Sequence, residues 1–206
     1  MNSEQFSVGG INVSRETFEQ LKSLSHLIQK WTAKINLIAP KSIPELWTRH
    51  IEDSAQVFSI AGDSWSSWTD IGSGGGLPAL VVAILDEKRR PMTLVESDQR
   101  KCLFLNTARR ELGLNINVIN GRIEDQRIEK ADILSARALA PLDKLLSFSE
   151  MLKKPEGRAI FLKGVTFQDE IDVANRNWGF SVNSHVSTTS SEARVLEISR
   201  IVRREC

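Results

Sequence analysis

Ten residues, Thr69-Asp70-Ile71-Gly72-Ser73-Gly74-Gly75-Gly76-Leu77-Pro78, restrict this chain more than any other stretch. The apolar run up to Ile71 reads as a strand, the four glycines as a turn bare of Cβ atoms, and the residues after it as a helix start. A second apolar run ends in Glu96, twenty residues after Gly76. In a strand, turn, helix, strand unit that spacing puts a carboxylate at the tip of the neighbouring strand, where it can accept hydrogen bonds from both hydroxyls of a ribose. A ligand would lie against the turn's amides at the start of the helix. The segment reads as an adenosine-nucleoside site; its bland alternative is a tight turn with no ligand.

Small departures from better-known glycine motifs bear on which adenosine compound is meant. A dinucleotide fingerprint beginning at Gly72 needs glycine or alanine at position 77, which is Leu77, so the NAD reading is weakened. A phosphate-binding P-loop needs Gly-Lys-Ser/Thr, and the chain has no Gly-Lys pair. Asp70, just before the turn, is expected to point its carboxylate into the crevice, repelling a pyrophosphate and attracting a cationic amino group. S-adenosylmethionine has that amino group, a sulfonium and no phosphate.

Composition narrows the setting. At 206 residues the chain suits one α/β domain better than two. Lys and Arg number 27 against 26 Asp and Glu, so bulk charge is not that of a general nucleic-acid binder, and RNA affinity would need a local patch or a shaped substrate. Cys102 and Cys206 fit neither a zinc cluster nor a disulfide framework, and the composition indicates a reduced cytoplasm. Met1 to Gly10 lacks a signal pattern, and no apolar run approaches the roughly 20 residues of a membrane span. The expectations are no membrane, no metal, a cytoplasmic location and a monomer.

Phe18, Leu21, Leu24, Leu27, Ile28 and Trp31 recur at helical spacing after a Ser14 cap. Ser42-Ile43-Pro44-Glu45 reads as a capping box opening a second helix, with an apolar stripe through His50 and Ile51 to Phe58. Two helices, residues 1–62, are thus expected to dock on a body spanning 63–206. There the pattern predicts strands at 66–71, 92–96, 116–120, 131–136 and 158–163. Helices are predicted at 77–87, 99–112, 141–153 and 166–177, with a closing hairpin over 179–186 and 193–202. Ser187 to Ser191 reads as a mobile turn.

Ligands of an open parallel sheet sit beyond the strands' carboxyl ends, which makes Asp70, Glu96, Gly121 to Asp125, Arg137 and Lys163 candidates. Backbone near Ile123 and Glu124 can read an adenine edge or be an ordinary turn. Arg137 can meet the methionine carboxylate, an RNA phosphate, or a surface partner; Lys163 has the same choices. His50 lies on an apolar stripe, as a hydrogen-bonded core histidine or a functional group. Arg49 can pair with Asp53 at i, i+4. Cys102 reads as core.

Several segments together resemble the GidB/RsmG family, methyltransferases that modify guanine N7 in bacterial 16S ribosomal RNA. They are Trp31-Thr32-Ala33-Lys34-Ile35-Asn36-Leu37, Trp47 to Ser54, Asp70 to Pro78, Arg100 to Leu105, Gly121 to Asp125, Ser135-Ala136-Arg137-Ala138 and Leu162-Lys163-Gly164. The resemblance implies a Rossmann-like class I methyltransferase: a mostly parallel seven-stranded sheet, an antiparallel C-terminal hairpin and two N-terminal helices. It implies cofactor contacts on Gly72, Leu77, Ile123, Glu124 and Arg137, with Glu96 on the ribose; Asp70 and Gly74 join them from the reading of the turn. Asn36 and Arg49-His50 look like the family's RNA-facing motifs. Ala79 departs from the usual glycine, and Glu96 stands where many members carry aspartate.

Guanine N7 has an in-plane lone pair and no proton, so it can attack a sulfonium methyl with no general base. The residues after the fourth strand, Ser135 to Pro141, contain neither an Asn/Asp-Pro-Pro-aromatic loop nor a cysteine nucleophile. What remains is positioning, with Arg137 as the positioning residue. The expectation is methylation of guanine N7 in the small ribosomal subunit; the alternatives are a module that senses the cofactor without catalysis and an NAD-dependent oxidoreductase.

Overall fold

The computed structural model describes residues 5–204. A two-stranded hairpin that the periodicity did not reveal comes first, β1 (Phe6–Val8) paired antiparallel with β2 (Ile11–Val13). Three-residue strands carry too few positions to show an alternation. Helix α1 (Arg15–Thr32) follows, capped as expected by Ser14, whose hydroxyl accepts from the Thr17 amide at 3.1 Å.

The second helix departs from expectation. Residues Pro40–Glu45 form a 3-10 turn, Trp47–Glu52 a wide π-helical turn, and only Asp53–Ala61 (α2) is α-helical. There is no capping box, because Ser42 donates to the Ala39 carbonyl at 2.8 Å instead of holding an amide three residues on. π turns are rare and cluster at functional sites; this one carries Arg49 and His50.

The body follows the predicted alternation: β3 (Trp68–Ile71), α3 (Ala79–Leu85), β4 (Met92–Glu96), α4 (Gln99–Glu111), β5 (Ile116–Asn120), β6 (Ala131–Arg137), α5 (Leu142–Leu152), β7 (Lys153–Lys163), α6 (Phe167–Ala174), β8 (Trp178–Ser187) and β9 (Ser190–Arg203). The seven strands are ordered β5-β4-β3-β6-β7-β9-β8, parallel from β5 to β7 and antiparallel at β9 and β8. Strand order reverses between β3 and β6, the switch point where ligands of such sheets bind.

Successive strand residues feed opposite faces. Ile160 and Leu162 of β7 pack with α1 to α4, whereas Ala159 and Phe161 pack with α5 and α6. The N-terminal helices therefore share a core with α3 and α4, and Trp31 meets Phe104 edge-on at 5.7 Å. The turn expected to be mobile is tied down: the Ser187 hydroxyl donates to Asp53 Oδ1 at 2.9 Å, and the Thr188 amide donates to Gln56 Oε1 at 2.8 Å. Among the described residues no helix is long and apolar enough to cross a membrane.

Candidate functional site

A cleft of about 580 Å³ opens beyond the tips of β3 to β6. The glycine turn makes its floor, and the turn divides its labour. Gly76 has φ +75°, and a Cβ there would lie 2.2 Å from Leu80 Cδ1, so only glycine lets the turn settle on α3. Gly74 has φ +53°, but a Cβ there would meet nothing nearer than the Gly72 carbonyl oxygen at 3.7 Å. The space beside that glycine is open. Helix α3 begins only at Ala79 and has seven residues, so the amides on offer are the turn's own and not a helix end.

Glu96 closes the turn from the side. Its Oε2 accepts from the Gly74 amide and its Oε1 from the Asp98 amide, both at 2.8 Å. The carboxylate is buried and lines the cleft. Each oxygen keeps a further lone pair, and both are held in place by backbone. Gly72, Gly74, Leu77, Ile123, Glu124 and Arg137 line the same cleft; among the cofactor candidates Asp70 does not.

Asp70 corrects the sequence reading. It is only 1% exposed, and lies between β3 and β6 with Oδ1 accepting from the Ser135 hydroxyl. Its Oδ2 has no partner. Burial pushes the carboxyl up to about 6, against the hydrogen bond from Ser135; the Ser73 hydroxyl donates to the Asp70 backbone carbonyl at 3.0 Å. Asp70 is a buried support of the turn and not a carboxylate displayed in the crevice.

Arg137, at the tip of β6, is not a surface ion pair. Its Nη2 donates to the Arg49 carbonyl at 2.8 Å, in the π turn, and stands 3.4 Å from Asp53 Oδ2. Nη1 is buried with no partner. Burial pulls the guanidinium below its ordinary pKa, and the nearby Asp53 carboxylate opposes that. An unpartnered guanidinium N–H at the edge of a cleft suits an anionic ligand group, since leaving such a donor unpaired costs about 1–3 kcal/mol. The expected Arg49–Asp53 pair does not form: Arg49 bonds Glu45 at 3.0 Å, and Asp53 serves Arg137.

His50 lines the cleft. Its Nε2 lies 2.9 Å from the Ser42 hydroxyl, whose single proton goes to Ala39. The histidine must then donate from Nε2, leaving a bare, buried Nδ1 with no partner. Burial, reinforced by Arg137 and Arg49, lowers its pKa to about 4. Asn36 and Arg49 are exposed and do not line the cleft, though their sequence neighbours Leu37 and His50 do. Lys163 is outside this cleft, its ammonium 2.6 Å from Glu170 Oε2 and 2.8 Å from the Ala140 carbonyl oxygen. Cys102 is buried core as expected. Among the described residues no group of three or more His, Cys, Asp or Glu could hold a metal.

Gln56 escaped the sequence reading, which took Asp53 only as a possible partner of Arg49 and Ser187 only as part of a mobile turn. Their contacts join positions more than 130 apart, beyond any local pattern. The only available signal was a charged residue, Asp53, next to the apolar stripe.

Comparison with known proteins agrees with this geometry. The model of the GidB family, described as rRNA small subunit methyltransferase G, matches residues 17–199. The chain is 47% identical over 196 residues to Ribosomal RNA small subunit methyltransferase G of Ruegeria sp. (strain TM1040), covering 94% of this chain and 95% of the relative. It is 45% identical over 202 residues to the protein of that name from Parvibaculum lavamentivorans, covering 96% and 89%. Solved structures share the fold alone. One is a ribosomal protein L11 methylase from Lactobacillus delbrueckii subsp. bulgaricus (TM-score 0.61, 18% identity, 74% and 78% of the two chains). Another is an O-methyltransferase from Bacillus cereus in complex with SAH (TM-score 0.59, 12% identity, 88% and 91%). The family match runs from the first helix to the last strand, over the same switch-point cleft and glycine turn, and on that ground this chain belongs to the GidB family, rRNA small subunit methyltransferase G.

Proposed function

We propose that the protein is an S-adenosylmethionine-dependent methyltransferase of small-subunit ribosomal RNA, and that its target atom is N7 of a guanine. The residues fit the cofactor. A bare turn at Gly74 leaves room for the nucleoside, Glu96 offers lone pairs to a ribose, and the unpartnered Arg137 Nη1 would take the methionine carboxylate. Ile123 and the backbone at Glu124 would border the adenine. When bound, the cofactor supplies a methyl group on a sulfonium.

What the chain's own residues must do is orient and exclude water. In such a transfer the N7 lone pair would form the new bond to carbon as the carbon–sulfur bond breaks, the positive charge would pass to the purine, and no proton would have to move, so no residue of the chain is needed as a base. The observation that carries this reading is the open turn at Gly74 with Glu96 fixed beside it by the Gly74 and Asp98 amides; His50, whose pKa burial lowers to about 4, would be a poor general base, which suits a mechanism that needs none. Asn36, Arg49 and His50 would face the RNA; Lys163, committed to Glu170 and Ala140, would act from behind the rim.

Transfer of labelled methyl from the cofactor to small-subunit RNA, followed by borohydride reduction and aniline cleavage, which cut at 7-methylguanosine, tests the proposal. Cofactor binding without transfer would instead leave a sensing module. Running free RNA, assembly intermediates and complete subunits side by side identifies the substrate form. We further infer that residues 1–206 act as one domain, as a cytoplasmic monomer; a single unfolding transition and a monomeric mass in solution are the expected results.

A further inference from the structure

Beside the cofactor cleft lies a second pocket of about 440 Å³, within the range of small-ligand sites. The two share Arg137, Ala138, Leu139 and Ala140, so the loop after β6 is a wall common to both. Ala138 is held at φ +49°, a conformation that costs a non-glycine residue energy and marks the wall as a constrained element. Ala140, Pro141 and Leu162 give the second pocket apolar surfaces, and its polar side holds Lys163 and Glu170.

We propose that this pocket receives the target guanine and that the Lys163–Glu170 pair reads its identity. The inference rests on the methyltransferase reading above. Along the edge of guanine, N7, the O6 acceptor, the N1–H donor and the N2 amine follow one another. The protein offers complementary groups: Lys163 Nζ lies 2.8 Å from the wall's Ala140 carbonyl oxygen, and Glu170 Oε2 lies 2.6 Å from Nζ.

With N7 lying over the edge of the shared loop and turned toward the cofactor cleft, the ammonium would meet O6, and Glu170 Oε1, the oxygen with capacity to spare, would meet N1–H and N2–H. Both groups have capacity to spare. The ammonium has three protons and two of these partners. Glu170 Oε2 is also held by the Leu142 amide at 2.8 Å, whereas Oε1 has only a long contact, 3.4 Å, with the Thr166 hydroxyl.

Adenine would set its N6 amine against the ammonium and its bare N1 against the carboxylate, which is mismatched at both positions. An unpaired RNA nucleotide turned out of its stack is the form that can enter such a recess. Arg194, lining the same pocket, offers a guanidinium for its phosphate. The carboxylate also favours the product, in which the purine carries the positive charge that arrived with the methyl.

The test uses the full chain in three parallel measurements. In amide spectra, guanosine 5′-monophosphate should shift Leu142 and Gly164, and adenosine 5′-monophosphate should not; equal shifts, or none, overturn the proposal. In Glu170→Gln, methyl transfer to small-subunit RNA should fall about 10- to 1,000-fold, the scale of losing charge-assisted contacts to a base edge, with cofactor affinity unchanged. A melting temperature and cofactor affinity equal to the parent's would exclude misfolding as the cause. Parent-level transfer by Glu170→Gln overturns the inference, while absence of transfer by the parent protein itself overturns the methyltransferase reading instead. If Glu170→Gln does not fold, the nucleotide comparison on the parent decides alone.

Discussion

The two sides of the Arg137–Ala140 loop are built by opposite means. On the cofactor side the chain makes the floor of the pocket out of near neighbours in sequence, a glycine turn and one carboxylate, Glu96, that reaches back 22 positions to the Gly74 amide, while His50, Ile123 and Arg137 complete the lining. On the far side, side chains from remote segments meet. Asp53 of α2 holds Arg137 of β6 and, through Ser187, the turn between β8 and β9; Glu170 of α6, itself only seven positions from Lys163, ties that lysine to the start of α5, 28 positions back. A pocket made of backbone can be recognised from a short motif and keeps its shape whatever surrounds it. One made of distant side chains is tunable, and each partner that it loses leaves a charge stranded.

The comparison breaks most sharply at the turn. Gly76→Ala is expected to cost about 3 kcal/mol or more of stability, from a methyl driven into Leu80 and a left-handed backbone. Gly74→Ala should cost about 1–2 kcal/mol, from the backbone alone, yet weaken cofactor binding. Urea denaturation beside calorimetry reads both; equal stability losses would refute the division of labour within the turn.

Next in size is Asp53→Ala. Removing one partner of a mostly buried ion pair leaves Arg137 uncompensated, and about 2–3 kcal/mol should be lost, with the β8–β9 turn newly open to proteolysis. Protection of that turn unchanged from the parent would mean the side is not built from long-range contacts. Glu96→Ala follows, weakening cofactor binding by about 1–3 kcal/mol. Unchanged affinity in calorimetry would remove Glu96 from the site.

The smallest net effect in the parent is in the pH dependence, where two groups act with opposite signs. His50, lowered to about 4, binds its proton more readily in the unfolded chain, so its contribution is complete above about pH 6.5 and is lost as pH falls toward 4. Asp70, raised to about 6, contributes fully below about pH 3.8 and loses that as pH rises through 6. The two windows overlap between about pH 4 and 6.5, so the contributions largely cancel in the parent: His50→Asn should remove a loss of stability on acidification across that window and Asp70→Asn a gain, each by up to about 3 kcal/mol, read as melting temperature against pH. Single-turnover methyl transfer with RNA saturating should stay level from about pH 6 to 9; a rising limb abolished by His50→Asn would defeat the mechanism without a base.

This contrast also explains what the sequence disclosed. The parallel strands, the four helices of the body and the C-terminal hairpin were legible because period and punctuation are local properties. The glycine turn and Glu96 were legible for the same reason. Asp70 was misplaced because spacing locates a residue along a strand and cannot say that Ser135, on another strand, will cover it. The wide turn at Trp47–Glu52 keeps an apolar stripe close enough to helical spacing to pass for an α-helix, and Ser42 was claimed by a histidine and a carbonyl that no capping rule anticipates.

The tie between Asp53 and Ser187, 134 positions apart, sets an order of events during synthesis. A nascent chain that has released its glycine turn, its strands up to β7 and all of its cleft-lining residues still lacks the hydroxyl that steadies the carboxylate facing Arg137. Contacts of such separation form late. The wall common to the two pockets is therefore fixed only after the final hairpin has left the ribosome, so a chain truncated before Ser187 would keep every cleft-lining residue and lose the brace behind one of them.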